Sequence, residues 1–108
     1  MRIDQPNVIA TEDMLCLRAD GSHVQIQAWL GAPYQCELGW ACPAALMGVD
    51  GRYVDIVGVS AFQAIREATL LIRRRLGHQL EDGAILCHPD DPESPYGTTI
   101  LDCIFGKE

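Results

Sequence analysis

Positive charge is scarce in this chain. Eight lysine and arginine residues stand against fifteen aspartate and glutamate, for a formal charge of −7 and a pI near 4.7. Nucleic-acid binding through a general basic surface is therefore disfavoured, because affinity for phosphates comes from clustered cations. Long apolar runs are missing too. None approaches the roughly 20 residues that cross a bilayer, and Met1-Arg2-Ile3-Asp4-Gln5-Pro6 lacks the apolar stretch of a secretory signal. The expectation is a cytoplasmic protein with no membrane contact. Catalytic signatures are absent as well: no phosphate-binding glycine loop, no G-x-G-x-x-G, no G-x-S-x-G and no H-E-x-x-H. A non-enzymatic protein without a cofactor is expected.

Five cysteines are present, Cys16, Cys36, Cys42, Cys87 and Cys103. An odd number argues against a closed disulfide framework. Zinc sites favour C-x₂₋₄-C pairs, whereas five residues separate Cys36 from Cys42. Cys87 and His88 are adjacent, and adjacent strand residues point to opposite faces, so no metal site is expected. As a nucleophile Cys87 is poorly placed, because the acidic residues that flank it raise a thiol pKa. The thiols read as reduced and mostly buried.

The apolar residues make up 48 % of the 108 residues and fall in periodic runs, which predicts one folded domain over 1–108. Met14 to Arg18 predicts a strand and Asp20-Gly21 a tight turn. In Val24 to Leu30 the residues Val24, Ile26, Ala28 and Leu30 should face inward and Gln25 and Gln27 outward, with Trp29 on the glutamine side. Gln35 to Leu46 alternates again, with Cys36, Leu38, Trp40 and Cys42 on one face and Pro43 marking an end, a bulge or an edge. Asp50-Gly51 leads into a fourth strand, Tyr53 to Val57.

The period then changes. Ser60 and Gln63 have the spacing of a capping box. Phe62, Ile65, Thr69, Ile72 and Leu76 form one helical stripe. The helix should run from about 61 to 76, closed by Gly77, with Arg73-Arg74-Arg75 in its last turn. Ala84 to Cys87 predicts a short strand, His88 to Gly97 a loop with three prolines, and Thr98 to Phe105 a last strand at an edge. The fold class is α+β: an antiparallel meander of about five strands with one main helix packed across one face.

The acidic excess is concentrated in the last quarter. The candidate partner-binding residues are Asp90, Asp91 and Glu93, with Tyr96 as an anchor and Glu81 and Asp82 nearby. Glu12 and Asp13 are a further carboxylate pair, read as solvated. Arg66 and Arg73, seven apart, lie on one side of the helix and together with Arg74 could bind an anion, but a solvated face is the stronger reading for them.

Trp40-Ala41-Cys42-Pro43 with Gly48, followed by Gly58-Val59-Ser60-Ala61-Phe62-Gln63-Ala64-Ile65, resembles a bacterial family of small proteins without established activity. In that family a W-x-C strand precedes a G-x-[DS]-x-x-Q-A helix start. The likeness covers the middle half of the chain and departs at Val59-Ser60, where an acidic-serine pair is more usual. It implies a fold and no function. In class rather than motif, the chain is similar to immunity proteins of contact-dependent inhibition and other polymorphic toxin systems. That likeness implies a binding protein that neutralises a basic toxin domain. Two alternatives stand beside it. One is a homo-oligomer that covers the 98–105 strand with a second copy. The other is a small-molecule site between sheet and helix, with Cys42, Cys87 and His88 as its candidates.

Overall fold

The computed structural model describes residues 2–107. The strands are β1 (Val8–Leu17), β2 (His23–Gly31), β3 (Tyr34–Cys36), β4 (Gly39–Cys42), β5 (Ala44–Met47), β6 (Gly51–Arg52) and β7 (Ile56–Gly58). Helix α1 (Ala61–Glu81) follows, then β8 (Ile85–His88), β9 (Asp91–Pro95) and helix α2 (Thr98–Phe105). A six-stranded antiparallel sheet has the order β6-β5-β2-β1-β8-β9, and β3-β4-β7 form a smaller one. The α+β class, with one main helix packed on an antiparallel sheet, is as the sequence predicts.

Alternation decides which face of the large sheet is buried. Met14 and Cys16 of β1 lie opposite Ile26 and Val24 of β2, and Leu46 and Leu86 join them from β5 and β8. Against this face pack Ala64, Ala68, Ile72 and Leu76 of α1 and Leu101 of α2. Each large aliphatic side chain buried here contributes about 1.5–3 kcal/mol. Gln25 and Gln27 face away, as expected. Trp29 shares their side, half-buried, with the Arg52 guanidinium 6.0 Å from its ring centre.

Six elements differ from the sequence expectation, β1 among them, which starts at Val8 rather than Met14. The run from Gln35 to Leu46 is not one strand. Gly39, at φ +127°, turns the chain between β3 and β4 and leaves Leu38 71 % exposed. Pro43 then marks the passage from the small sheet to the large one. Of the expected fourth strand, Tyr53 to Val57, only Ile56 and Val57 lie in a strand, β7; β6 ends at Arg52, and between the two Asp55 has its side chain fully buried in a salt bridge with Arg52.

Helix α1 begins as predicted. Ser60 Oγ accepts the Gln63 amide at 3.1 Å, while Gln63 Oε1 accepts from Val59 N at 2.6 Å, one residue before the cap. It continues past Gly77 to Glu81, however, so Arg73-Arg74-Arg75 lie in its interior. Phe62 is 87 % exposed and does not belong to the buried stripe. The prolines of 88–97 do not make a loop throughout, because Pro92 and Pro95 lie in β9. That strand is the sheet's outer edge, where no outward N–H is needed.

Thr98 to Phe105 is a helix rather than a strand. Leu101 and Phe105 are four apart and both reach the core. Asp102, beside Leu101, accepts from Arg73 Nε of α1 at 2.9 Å. Tertiary contacts thus outweigh the β preference of Thr99 and Ile100.

Candidate functional site

Strand β1 is longer than its partner β8. Its ten residues pair with β2 along most of their length, whereas β8 pairs only with Leu15, Cys16 and Leu17. Beyond His88 the chain turns at Pro89-Asp90 into β9. Among the described residues, no strand pairs with Val8 to Met14 on the β8 side.

The backbone direction along this open edge follows from two hydrogen bonds. Arg18 N donates to Ser22 O across the hairpin, so even-numbered residues of β1 turn their polar groups toward β2. Tyr96 N donates to Leu86 O, so Cys87 turns its groups toward Leu15. By alternation, Thr11 and Asp13 point their N–H and C=O outward along the line that β8 vacates.

A groove of about 300 Å³ lies beside this edge. Ala10 and Glu12 form one wall and Ile104 and Phe105 the other, with Leu30 and Ile72 among the deeper residues. Val8 and Ile9 are 45 % and 53 % exposed at its open end. The other end is acidic. Glu12 lies on the helix side, and Tyr96 stands near enough that burial and then the Glu12 charge raise its phenol pKa. Asp13, on the opposite face, accepts from Gln27 Nε2 at 3.0 Å. Asp13 and Pro89 border one shallow hollow, so the Pro89-Asp90 turn adjoins the end of the vacant edge.

The sequence-derived candidates are placed as follows. Asp90, Asp91 and Glu93 are exposed on the β8–β9 hairpin. Asp90 N donates to His88 Nδ1 at 3.0 Å, and the Asp90 carboxylate lies 3.8 Å from the same nitrogen. Tyr96 is half-buried against the core rather than a free anchor. Glu81 and Asp82 are exposed where α1 ends. They flank the start of β8, which is about 10 Å from its far end at strand rise. The fold thus brings Tyr96 toward Glu12 and the Pro89-Asp90 turn toward Asp13, and leaves Glu81 and Asp82 apart. Reading the strand from Met14 missed Glu12 and Asp13 as edge residues; the β-prone Val8-Ile9-Ala10-Thr11 run was the available signal.

The arginines are largely committed to internal carboxylates. Arg52 pairs with Asp55 at 3.1 Å, Arg66 with Glu67 at 3.5 Å, Arg73 with Asp102 at 2.9 Å and Arg75 with Asp50 at 2.8 Å. Arg73 is buried and Arg66 largely exposed, so they do not form the shared anion-binding face that their spacing allows. Glu81, Asp82, Asp91 and Glu93 have no ion pair among the described residues.

Burial holds the inner thiols in their protonated form. It pushes Cys42 up to about 11, with the Asp55 charge adding to the effect, and it raises Cys16 and Cys87. A thiol-specific reagent is therefore expected to modify Cys103 first and Cys36 next, while Cys16, Cys42 and Cys87 react only after denaturant is added. Fast labelling of Cys87 in the folded chain would contradict this. Among the described residues, no group of three or more His, Cys, Asp or Glu is arranged to hold a metal, and no helix is long and apolar enough to cross a membrane. No family model, curated protein or solved structure matches this chain.

Proposed function

We propose that this chain is a non-enzymatic binding protein that captures a basic protein partner through an acidic surface, most concretely an immunity protein that neutralises a toxin domain. One observation carries the reading. Four of the eight basic residues, Arg52, Arg66, Arg73 and Arg75, pair with the chain's own carboxylates, while Asp91, Glu93, Glu81 and Asp82 have no ion pair among the described residues. Such a surface attracts cationic proteins and speeds their association. Nuclease toxins are basic because they hold phosphates, which makes them suitable targets. The prolines of β9 keep the hairpin acids on a stiff rim and lower its ordering cost on binding.

The test is recovery of the tagged chain from its native host at low and at high salt. A basic protein retained at low salt and released at high salt is the expected result. Reversing charge at Asp90, Asp91 and Glu93 together should slow association about tenfold or more at low salt. Unchanged binding with unchanged salt dependence would remove the hairpin from the reading.

Two alternatives keep a structural footing. A homo-oligomer can no longer rest on 98–105 as an edge strand, since that segment is α2; the open edge of β1 would serve instead. A small-molecule site would occupy the groove at Ala10, Leu30 and Phe105, whose volume is at the low end for ligand pockets; the expected candidates Cys42, Cys87 and His88 do not line it.

A further inference from the structure

We infer that the open edge of β1, from Val8 to Asp13, is a strand-addition site for an extended basic segment of a protein partner. The inference rests on the acidic-binding reading and says where and how the partner engages.

Thr11 and Asp13 present outward N–H and C=O groups, which a strand laid along the line of β8 would satisfy. An unpaired edge is a template for another chain, and folds usually blunt it with prolines, charges or brevity. The terminal strands of the two sheets are blunted. Outer strand β9 carries Pro92, Pro95 and two acids, β6 has two residues, and β3 and β7 have three each. The β1 edge is irregular between Val8 and Ala10 and ends on Glu12 and Asp13, but its Val8-Ile9-Ala10-Thr11 run carries no proline and no charge.

The surroundings select the occupant. Main-chain bonds supply affinity in strand addition, and pockets for alternate side chains supply specificity. Side chains of the added strand on the helix side would enter the groove between Ala10 and Ile104, which suits an aliphatic or aromatic residue. At the other end they would meet Glu12, Asp13 and the Pro89-Asp90 turn, which suits lysine or arginine. A second copy would instead bring another charge of −7 to the same place. Charge complementarity therefore favours a cationic strand. The hairpin acids would guide the encounter, and the edge would hold the segment.

The probe is a capped decapeptide, Thr-Val-Lys-Val-Thr-Ile-Lys-Val-Lys-Thr, added to the full chain while amide hydrogen exchange is followed by NMR. Exchange at Thr11 and Asp13 should slow about tenfold or more at saturation. The same peptide with glutamate for lysine should bind about tenfold more weakly. Thr11→Pro removes an N–H that β2 does not use, so it should leave the circular dichroism intact and abolish peptide binding. Ile104→Ser, on an exposed position of α2, removes an apolar wall of the groove without adding charge and should weaken binding without touching the sheet. Protection elsewhere, no protection, or equal affinity for the glutamate peptide would overturn the inference. So would a wild-type dimer in which those amides are already protected. The two readings fail separately. A native basic partner retained by Thr11→Pro but lost on charge reversal would overturn strand addition and leave the acidic surface standing. Absence of any basic partner would remove the functional reading, while the peptide result still decides the edge.

Discussion

Asp55→Ala is expected to destabilise the protein by about 3–5 kcal/mol, since removing one member of a buried ion pair strands the other. The Asp55 side chain has no exposed surface. It accepts from Arg52 at 3.1 Å, from the Tyr34 hydroxyl at 2.5 Å and from Ile3 N at 2.8 Å. Without it, three donors in the join between the two sheets lose their acceptor. Arg52 is already short of one partner, because its Nε is buried and unbonded. Burial, reinforced by the hydrogen bond to Asp55, pushes Tyr34 up to about 12, so the phenol stays a donor at any ordinary pH and cannot take over the charge. Thermal unfolding should show a midpoint lower by about 15 °C or more. Trp29 fluorescence should shift in the folded state, since the guanidinium over its ring loses its anchor. Replacing Arg52 and Asp55 together by methionine and leucine should recover much of the loss. A single alanine variant within about 0.5 kcal/mol of wild type would show that the cluster contributes no net stability.

Gly58→Ala is expected to cost about 2–3 kcal/mol by overpacking. A Cβ at this position would stand 2.6 Å from Ala64 N, 3.0 Å from Ala64 Cα and 3.1 Å from the Gln63 carbonyl carbon. All three are backbone atoms of the first turns of α1, so no side chain can move aside and the helix itself must shift. The same glycine also meets the β3–β4 turn, because a Cβ on Gly39 would lie 2.6 Å from Gly58 O. The two glycines let the small sheet, its turn and the helix start meet at backbone distance. Urea unfolding measures the loss, and an unchanged midpoint would mean that the helix start yields freely. The physical reason for Gly58 in the strand-to-helix motif is this close approach.

What could be read from the chain was what neighbours in sequence decide. The Asp20-Gly21 hairpin, the alternation of β2 and the Ser60–Gln63 cap depend on residues within a few positions of each other, and all three are present. The misreadings share one cause. Gly77 resembles a helix end, but α1 continues until Asp82 N bonds back to His78 O and Gly83 N to Leu80 O. Phe62 fits the apolar stripe by spacing, but at the first turn it lies beyond the sheet that the stripe covers. Thr98 to Phe105 has strand composition, but its Asp102 meets Arg73, 29 positions earlier.

The candidate site divides in the same way. Its charges were legible, since acids without internal partners stay on the surface wherever the chain goes. Its shape was not. The opening at β1 exists because β8 turns after His88 while β1 runs on to Val8, a mismatch between strands far apart in sequence. The sequence alone determined the fold class, the start of the main helix and the sign of the surface, since these follow from local periodicity, capping chemistry and composition. Only the tertiary structure decided which acids stand together, which edge is open and where Asp55 is buried, because long-range pairing sets those and no short-range pattern encodes its register.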